Sequence, residues 1–353
     1  FQTASSLEQQ YFLRLARSVA EEQWCAKLGS GGTHTGFASK WLTTALERMA
    51  SGNMLSHLSL RLEADGDGRY TVLELQTEGG AFTSNSNFRV GDIVVVYSCA
   101  QGRVPDIRDG IAFKGRVLAI EAHNVRVALT HPQMSRLAWE RPPNTFWVLE
   151  SDINESSYTS QYQGLYLFLQ SSVARRELIL GTRHPATASA AHSLRGEYGE
   201  LDHLVVRSRQ AKELFLILGP PGTGKTSHVL MSLLREELLD PAGCILLTAF
   251  TNRALDEICS KLCAAGIDFI HLGTQHSCAP EFHSYLLEEK VAKCQSVEEI
   301  RELITQCRVF CGNTSRITSQ RALFKLKRFS LAIVDEASQL LETQLCRQKL
   351  CGL

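Results

Sequence analysis

The sequence predicts an α/β protein in which a parallel sheet follows a small β-barrel and a helical stalk. Residues 87–150 contain short apolar stretches separated by Gly, Pro, Asp and Asn, a pattern typical of a small barrel. From residue 201, apolar strands alternate with helices and no tight hairpin intervenes, which indicates a parallel sheet covered on both faces. A glycine-rich loop lies between the first of these strands and its helix.

Length and charge leave room for several functions. A chain of 353 residues can form two or three domains, each with its own core. Lys plus Arg and Asp plus Glu both number 37, so the net charge is zero, which neither requires nor excludes a nucleic-acid partner. No secretory leader or membrane-length apolar run is evident. We therefore expect a protein of the cytoplasm or nucleus that is not secreted.

The eleven cysteines are scattered along the chain and include no C-x-x-C motif. Cys259 and Cys263 are four residues apart, as are Cys307 and Cys311, so each pair can share a helix face. A zinc site needs four ligands, and neither pair has an obvious second pair. The sequence favours reduced, partly buried thiols over zinc, in keeping with a reducing compartment.

The first 86 residues are interpreted as an N-terminal helical and β stalk region. Residues 5–28 predict a helix with Ser6 as the N-cap and one apolar face. A second helical stretch, from Trp41 to Met49, precedes two alternating strands around an Asp-Gly turn. The members of the apolar face recur every four residues: Leu7, Tyr11, Leu15 and Val19.

Residues 87–150 are predicted to be the small barrel, and residues 151–200 a connecting helical region. Small barrels often bind nucleic acid. Positive charge on a barrel can also be a solvated outer face, and the sequence leaves both interpretations open. The basic residues concerned are Arg89, Lys114, Arg116 and Arg126.

Residues 201–353 are predicted to be a P-loop nucleoside-triphosphatase domain. Strand "LFLILG" (214–219) precedes a helix predicted from Ser227 to Leu239. Strand "CILLTAF" (244–250) precedes a helix predicted from Ala254 to Ala265. The remaining segments are "IDFIHLG", helical "SVEEIRELITQC", "RVFCG" and "LAIVDEASQ".

The stretch "GPPGTGKTS" (219–227) fits the pattern G-x-x-x-x-G-K-[ST] at every fixed position. Its glycines let the backbone fold round a phosphate, with amide hydrogens aimed inward at a helix N-terminus. Lys225 is predicted to reach the β- and γ-phosphates of ATP, and the Thr226 hydroxyl to bind Mg²⁺. The predicted nucleotide-binding residues of the loop are Gly219, Pro220, Pro221, Gly222, Thr223, Gly224, Lys225, Thr226 and Ser227.

A second acidic motif ends the strand "LAIV" (331–334). In P-loop enzymes a second strand delivers an aspartate to the metal beside the triphosphate, so Asp335 is predicted to bind Mg²⁺ with Thr226. Glu336 is then placed to polarise the attacking water as a general base. The alternative is a helix N-terminus that carries two acids in its first turn.

The phosphate loop alone does not select a family, because GPPGTGKT also occurs in many ring-forming ATPases. "VDEASQ" (334–339), however, resembles motif II of superfamily 1 helicases. The resemblance is to the B subclass, which includes RNA-surveillance helicases and replication helicase-nucleases. It implies a RecA-like first motor domain, a barrel over the bound strand (accessory domain 1B) and a role for Gln339 in linking nucleotide to strand.

"ILLTAFTNRALDEICSKL" (245–262) resembles motif Ia of the same helicases, which grips a nucleic-acid backbone. By that resemblance Thr251, Asn252 and Arg253 face the phosphates of a single strand, and their donors suit phosphate. The alternative is that Thr251 or Asn252 only caps the helix. A looser similarity at 308–317 implies further strand contacts from Asn313, Thr314 and Ser315.

The sequence departs from the family in two respects. The family's adenine-reading glutamine lies some twenty residues before the loop, whereas Gln210 lies nine residues before Gly219. No second motor domain follows motif II, so the chain is expected to be an N-terminal half whose own hydrolysis is weak. An arginine finger from that missing half is worth about 10³- to 10⁵-fold in rate.

The resemblance therefore implies an ATP-dependent helicase or translocase that acts on single-stranded DNA or RNA. Two alternatives remain open at this point. One is a nucleotide-dependent switch or scaffold ATPase that does not translocate, and the other is the helicase part of a helicase-nuclease. Stimulation of hydrolysis by a single strand distinguishes a motor from a switch.

Overall fold

The computed structural model of the chain shows a mixed α/β protein with a closed barrel and a separate parallel sheet. It divides into two compact units, residues 18–156 and residues 1–17 together with 157–353. The structure describes residues 1–29, 36, 43–62, 64–65, 68–77, 86–153, 155–188, 193–220 and 222–344. No helix among them is long and apolar enough to cross a membrane.

The unit of residues 18–156 is built on a six-stranded closed antiparallel barrel with the strand order β1-β2-β5-β4-β3-β6. Alternating apolar residues and tight turns favour this arrangement, because successive side chains of a strand point to opposite faces. The helix α2 (Ala45–Ala50) precedes it and carries a capping box between Thr44 and Glu47. The strands are β1 (Met54–Leu62), β2 (Tyr70–Thr77), β3 (Ile93–Ala100), β4 (Ala112–Ile120), β5 (Asn124–Gln133) and β6 (Thr145–Ser151).

The hairpin predicted before residue 87 is confirmed as β1 and β2, which pair in antiparallel register. These two strands belong to the closed barrel, which thus begins at Met54 and not at residue 87. Its interior includes the stacked rings of Phe113 and Trp139, with centroids 4.1 Å apart. Aliphatic side chains from all six strands complete this core: Leu58, Leu73, Leu75, Val94, Val96, Val117, Val125, Val127, Leu129 and Leu149.

The other unit carries a four-stranded parallel sheet with the order β10-β7-β9-β8. β7 and β9 are buried strands rich in Ile, Leu, Val and Phe, the composition expected of a parallel sheet covered on both faces, whereas β10 is only partly buried. Asp335, Ala249 and Asn313 are aligned in register at the carboxyl edge of three neighbouring strands. The strands are β7 (Ile245–Ala249), β8 (Ile270–His271), β9 (Val309–Asn313) and β10 (Leu331–Asp335).

The described residues outside the strands include ten further α-helices. The first, α1 (Ser6–Leu28), starts in one unit and ends in the other, because the division falls after residue 17. The others are α3 (Ser156–Gln170), α4 (Val173–Ile179), α5 (Asp202–Gln210), α6 (Leu230–Leu238), α7 (Asn252–Ala264), α8 (Leu287–Val291), α9 (Val297–Gln306), α10 (Thr314–Ser319) and α11 (Arg321–Leu326).

The N-terminal helix agrees with its predicted bounds but not with its predicted cap or face. Ser5, not Ser6, closes the first turn, since its hydroxyl accepts from the Glu8 amide while Glu8 accepts from the Ser5 amide. Val19 is buried, but Leu7 is half exposed. The four-residue recurrence therefore identified the helix and only part of its buried side. Trp41, which began the second predicted helix, lies outside the described residues.

The strand predicted at 214–219 is wrong. These residues form no strand and pair with no described strand, and Leu216 and Leu218 are 78% and 101% exposed. An apolar run forms a strand only where a neighbour accepts its backbone hydrogen bonds. The helix predicted from Ser227 to Leu239 instead opens with a π-helical turn (Lys225–Val229) and continues as α6.

Candidate nucleotide and nucleic-acid site

The glycine-rich loop adopts the turn that its composition predicts. Gly222 and Gly224 have φ values of +79° and +78°, which residues with a side chain rarely adopt. A Cβ atom on Gly219 would lie 2.8 Å from Thr223 Oγ1, so the loop also packs closely at its start. The Thr223 hydroxyl donates to the Pro220 carbonyl at 2.8 Å and fixes the turn. Pro221 lies outside the described residues.

The Lys225 side chain folds back over this loop. Its ammonium donates to the carbonyls of Gly219, at 2.5 Å, and Pro220, at 2.8 Å. These carbonyls hold the cation beside the loop's backbone amides, where both can attract an anion. Ser227 follows within the π-helical turn and is partly buried. The geometry combines a flexible cation with a rigid loop.

Thr226, in the π-helical turn, contacts Asp335, which lies 109 residues later in the sequence. The Thr226 hydroxyl donates to Asp335 Oδ2 at 2.8 Å. The other carboxylate oxygen, Oδ1, accepts from the Glu336 amide at 3.0 Å. A hydroxyl and a carboxylate are the hard oxygen donors that Mg²⁺ prefers, so these residues suit the ion predicted from the sequence. The parallel pairing of β10 with β7 holds Asp335 at the carboxyl edge of the sheet.

Glu336 lies on a sharp turn directly after β10. Its φ of +50° is unusual for a residue with a side chain, and such backbone conformations cluster at functional sites. Its exposed carboxylate accepts a hydrogen bond from the Gln339 side-chain amide. The predicted helix N-terminus is a short 3₁₀ turn (Ala337–Gln339). After this turn Glu336, the second acid of the motif, is hydrogen-bonded to Gln339, the glutamine predicted from the sequence.

The predicted strand-binding residues lie at the same carboxyl edge. Thr251 caps α7, because its hydroxyl accepts from the Ala254 amide at 3.2 Å. Asn252 Oδ1 accepts from Asn313 Nδ2 at 2.7 Å, which joins the motif Ia segment to the end of β9. Arg253 is exposed. The capping role considered for Thr251 is thus observed, and its exposed position leaves contact with a strand open.

Asn313 also caps α10, through its Oδ1 and the Arg316 amide. Thr314 is buried, so it is not a surface contact. Ser315 is exposed on the same short helix. The sequence analysis did not single out Phe250, an aromatic residue directly before the α7 cap that is 42% exposed. The sequence signal available for Phe250 was an aromatic residue at the end of a predicted β-strand, since aromatic faces stack on nucleic-acid bases.

Other sequence-based candidates lie on other elements of the chain. Gln210 ends α5, and its backbone carbonyl accepts from the Ala188 amide. Within the barrel unit, Lys114 forms an ion pair with Asp152 at 2.7 Å, which favours a structural role for this cation. The Arg116 guanidinium donates to the Gly91 carbonyl, while Arg89 and Arg126 are exposed.

Comparison with known proteins agrees with this geometry. Residues 201–299 match a family model described as an AAA domain. The chain is 27% identical over 335 residues to the DNA replication ATP-dependent helicase/nuclease DNA2 of Gallus gallus, covering 89% of this chain and 32% of that protein. It is 25% identical over 366 residues to the DNA polymerase alpha-associated DNA helicase A of Schizosaccharomyces pombe, covering 86% and 54%.

A plant relative, the DNA replication ATP-dependent helicase/nuclease JHS1 of Arabidopsis thaliana, is 27% identical over 245 residues, which are 64% of this chain and 18% of that protein. The chain thus spans about a third of the length of the first vertebrate relatives that it matches. The similarity covers the barrel and the sheet as well as the loop. With its phosphate loop and acidic strand end in contact, the chain is similar to these helicases, and the comparisons support a motor domain of the superfamily 1 helicase type.

Proposed function

We propose that this chain is the nucleotide-hydrolysing half of a motor that moves along single-stranded nucleic acid. The observation that carries the proposal is the hydrogen bond between Thr226 and Asp335, which brings the phosphate loop and motif II into one site. The names of the relatives favour DNA over RNA as the strand. The B subclass, a helicase-nuclease of this type and use of ATP are parts of the same proposal.

The chain's own residues divide the chemistry among them. The loop amides and Lys225 bind the β- and γ-phosphates of ATP and offset the charge that develops there. Thr226 and Asp335 would hold Mg²⁺, which supplies a further positive charge beside the phosphates. Glu336 orients a water molecule and accepts its proton. Gln339, hydrogen-bonded to Glu336, then reports the state of the nucleotide site to the strand.

The proposed contact with single-stranded nucleic acid rests on the aligned carboxyl ends of the β-strands β7, β9 and β10. Asn252, Asn313 and Arg253 offer donors to phosphates, and Phe250 offers a ring to a base. Asp335 lies on the same edge in register with Ala249 and Asn313. A change at the nucleotide can thus reach the bound nucleic acid through adjacent β-strands of a single sheet.

We further propose that the sheet is of the RecA-like type and is completed by strands from elsewhere in the longer protein. Among the described residues β10 pairs only with β7, so its other edge offers unpaired backbone groups. The exposed Leu216 and Leu218 lie on the segment that leads into the loop. A parallel strand between this segment and β10 would cover both, and the first vertebrate relatives are about three times as long as this chain.

Turnover measured with and without single-stranded DNA tests the proposal on the complete protein. Hydrolysis should rise with the strand, and Lys225→Ala should lower it by at least about 10²-fold, the usual loss for one transition-state donor. Lys212→Ala is the matched control, because Lys212 is an exposed lysine on the segment before the loop. Retained turnover in Lys225→Ala would contradict the site.

The switch alternative makes a different forecast for the same assay. A nucleotide-dependent scaffold would bind and hydrolyse ATP at a rate that the strand does not change. Replacing Phe250 or Arg253 by Ala should raise the strand concentration needed for half-maximal stimulation if these residues contact nucleic acid. Unstimulated hydrolysis in the wild-type protein would favour the switch over the motor.

A further inference from the structure

Three potential metal ligands meet in the core of the parallel-sheet unit, away from the nucleotide site. Cys259 lies on α7, His271 on β8 and Cys311 on β9. His271 and Cys311 are partners in the parallel register, and α7 covers them with Cys259. All three side chains are at most 1% exposed. The sequence separates them by up to 52 residues, and only the fold brings them together.

The distances among these side chains suit a single ion. The two sulfur atoms are 3.6 Å apart, and the ligand atoms of all three residues lie within 4.8 Å of one another. A tetrahedral zinc ion with Zn–S bonds of about 2.3 Å places its sulfur ligands about 3.8 Å apart. The pair therefore needs little movement to bind. A disulfide would require the same sulfurs to approach to about 2.05 Å.

The imidazole of His271 gives the second, independent observation. Neither ring nitrogen has a hydrogen-bond partner among the described residues, although both are fully buried. Buried polar atoms are nearly always paired, so an orphaned ring in a native core needs an explanation. The ring packs against Gly273, where a Cβ atom would lie 2.5 Å from Nδ1. A neutral imidazole nitrogen can donate its lone pair to a metal ion.

We propose that Cys259, His271 and Cys311 bind Zn²⁺. Two thiolates and a neutral imidazole form a donor set that zinc commonly takes, and binding would release the two thiol protons to solvent. The ion would give the orphaned imidazole its partner. The sequence analysis disfavoured zinc because neither pair of cysteines four residues apart had an obvious second pair, whereas the fold takes one cysteine from each of the two pairs.

Structural zinc sites have four ligands, so a fourth is expected. Cys278 is the candidate, because it is partly buried and packs against the same core cluster. Its thiol donates to the Thr274 carbonyl at 3.7 Å. Burial, with the nearby Asp256 and Cys259, raises the pKa of this thiol to about 11, so a bound cation would be needed to ionise it at neutral pH. Cys278 would add the loop after β8 to the elements that the ion joins.

The site would fix three elements behind the carboxyl edge of the sheet. α7 begins at the proposed strand contact Asn252, and β9 ends at Asn313, to which Asn252 is hydrogen-bonded. A bond between Cys259 and Cys311 through zinc would hold this helix and strand at a fixed separation. The metal would act on structure and not on hydrolysis. The proposal does not depend on the proposed motor function.

Elemental analysis of the 353-residue chain tests the site, after purification under reducing conditions without chelators. We expect one equivalent of zinc, and replacement by Co²⁺ should give the strong absorption of tetrahedral cobalt thiolates. Cys311→Ser should lose the metal and this absorption. Cys307→Ser is the matched control, because Cys307 is a buried thiol in the neighbouring core cluster and should keep the full equivalent.

His271→Cys guards against variants that merely fail to fold. It supplies another zinc ligand at the same position, so it should retain the ion and shift the cobalt spectrum. Cys278→Ser should weaken zinc binding if this thiol is the fourth ligand. Wild-type chain without zinc, even after zinc is added, would overturn the proposal. So would equal metal loss in Cys307→Ser, or a disulfide between Cys259 and Cys311 in the purified chain.

Discussion

The barrel and the parallel sheet differ in how completely each satisfies its own backbone. Every strand of the barrel has two neighbours, so the barrel has no edge. The sheet has edges, and its edge strand β10 ends with Asp335. The barrel thus has no edge strand, while the sheet carries a functional residue on one of its edge strands.

The buried charge network of the barrel and the acids of motif II also differ in their surroundings. The barrel unit buries Glu150 against Arg48 and Tyr97, and the Tyr97 hydroxyl donates to its carboxylate at 2.5 Å. Burial, followed by the hydrogen bond to Glu150, raises the pKa of Tyr97. In the sheet unit the acids of motif II are accessible. Charge in the barrel therefore serves structure, while charge at the sheet edge remains available to ligands.

The largest expected effect breaks this buried network. Glu150→Ala leaves the Arg48 guanidinium buried without its carboxylate, which typically costs about 3–5 kcal/mol of folding free energy. Urea unfolding followed by tryptophan fluorescence measures the loss, because all four tryptophans precede residue 148 and so report on the barrel side. Nucleotide binding at the loop should persist under conditions where the barrel remains folded.

A double variant separates the ion pair from simple loss of packing. Arg48→Met with Glu150→Leu removes both charges and keeps side-chain volume, so it should cost less than Glu150→Ala alone. If the double variant were instead the less stable of the two, the buried charges would be net stabilising. The contrast between structural and accessible charge would then need revision.

A smaller effect is expected inside the barrel wall. Gly115 lies on β4, and a Cβ atom there would come within 2.5 Å of Val127 Cγ1 and 2.7 Å of the Ala128 carbonyl oxygen. Gly115→Ala should therefore cost about 1–3 kcal/mol through overpacking against the neighbouring strand. Gly110→Ala is the control, because a Cβ atom there meets nothing within 4 Å. Equal stability of the two variants would show that the neighbouring strand shifts to accommodate the added methyl group.

The sequence predicted those parts of the fold that depend on local pattern. The first helix, the hairpin and the parallel arrangement of the sheet follow from periodicity and short turns. The failed strand at 214–219 shows the limit of such patterns, because pairing depends on a neighbour that periodicity cannot supply. The π-helical turn at Lys225 was likewise outside the reach of a helical repeat.

The candidate site divides in the same way. The loop and its glycines were predicted because each residue type has a local reason to be there. The contact between Asn252 and Asn313, 61 residues apart, and the cluster of Cys259 with Cys311 were not, since both depend on strand order and register. Spacing along the chain reveals ligands within one element, whereas ligands from three elements need the fold.

The smallest predicted effect concerns the sheet unit, where the buried acid Glu8 is paired with an arginine. The Arg176 guanidinium donates to Glu8 Oε1 at 2.6 Å and joins α1 to α4. This hydrogen bond, opposed by burial and helped by the Ser5 amide, lowers the pKa of Glu8 below its usual 4.5. Stability from this group is therefore present above pH 4.5 and is lost as the pH falls through the lowered pKa.

Glu8→Gln should lower the free energy of unfolding by about 1 kcal/mol at neutral pH. The difference from wild type should shrink once the pH is below the lowered pKa of Glu8. Urea unfolding followed by circular dichroism, at neutral pH and at about pH 3, measures both values. Glu22→Gln, an exposed change on the same helix, is the control. A difference in unfolding free energy that persisted unchanged in acid would assign the loss to packing and not to the charge of Glu8.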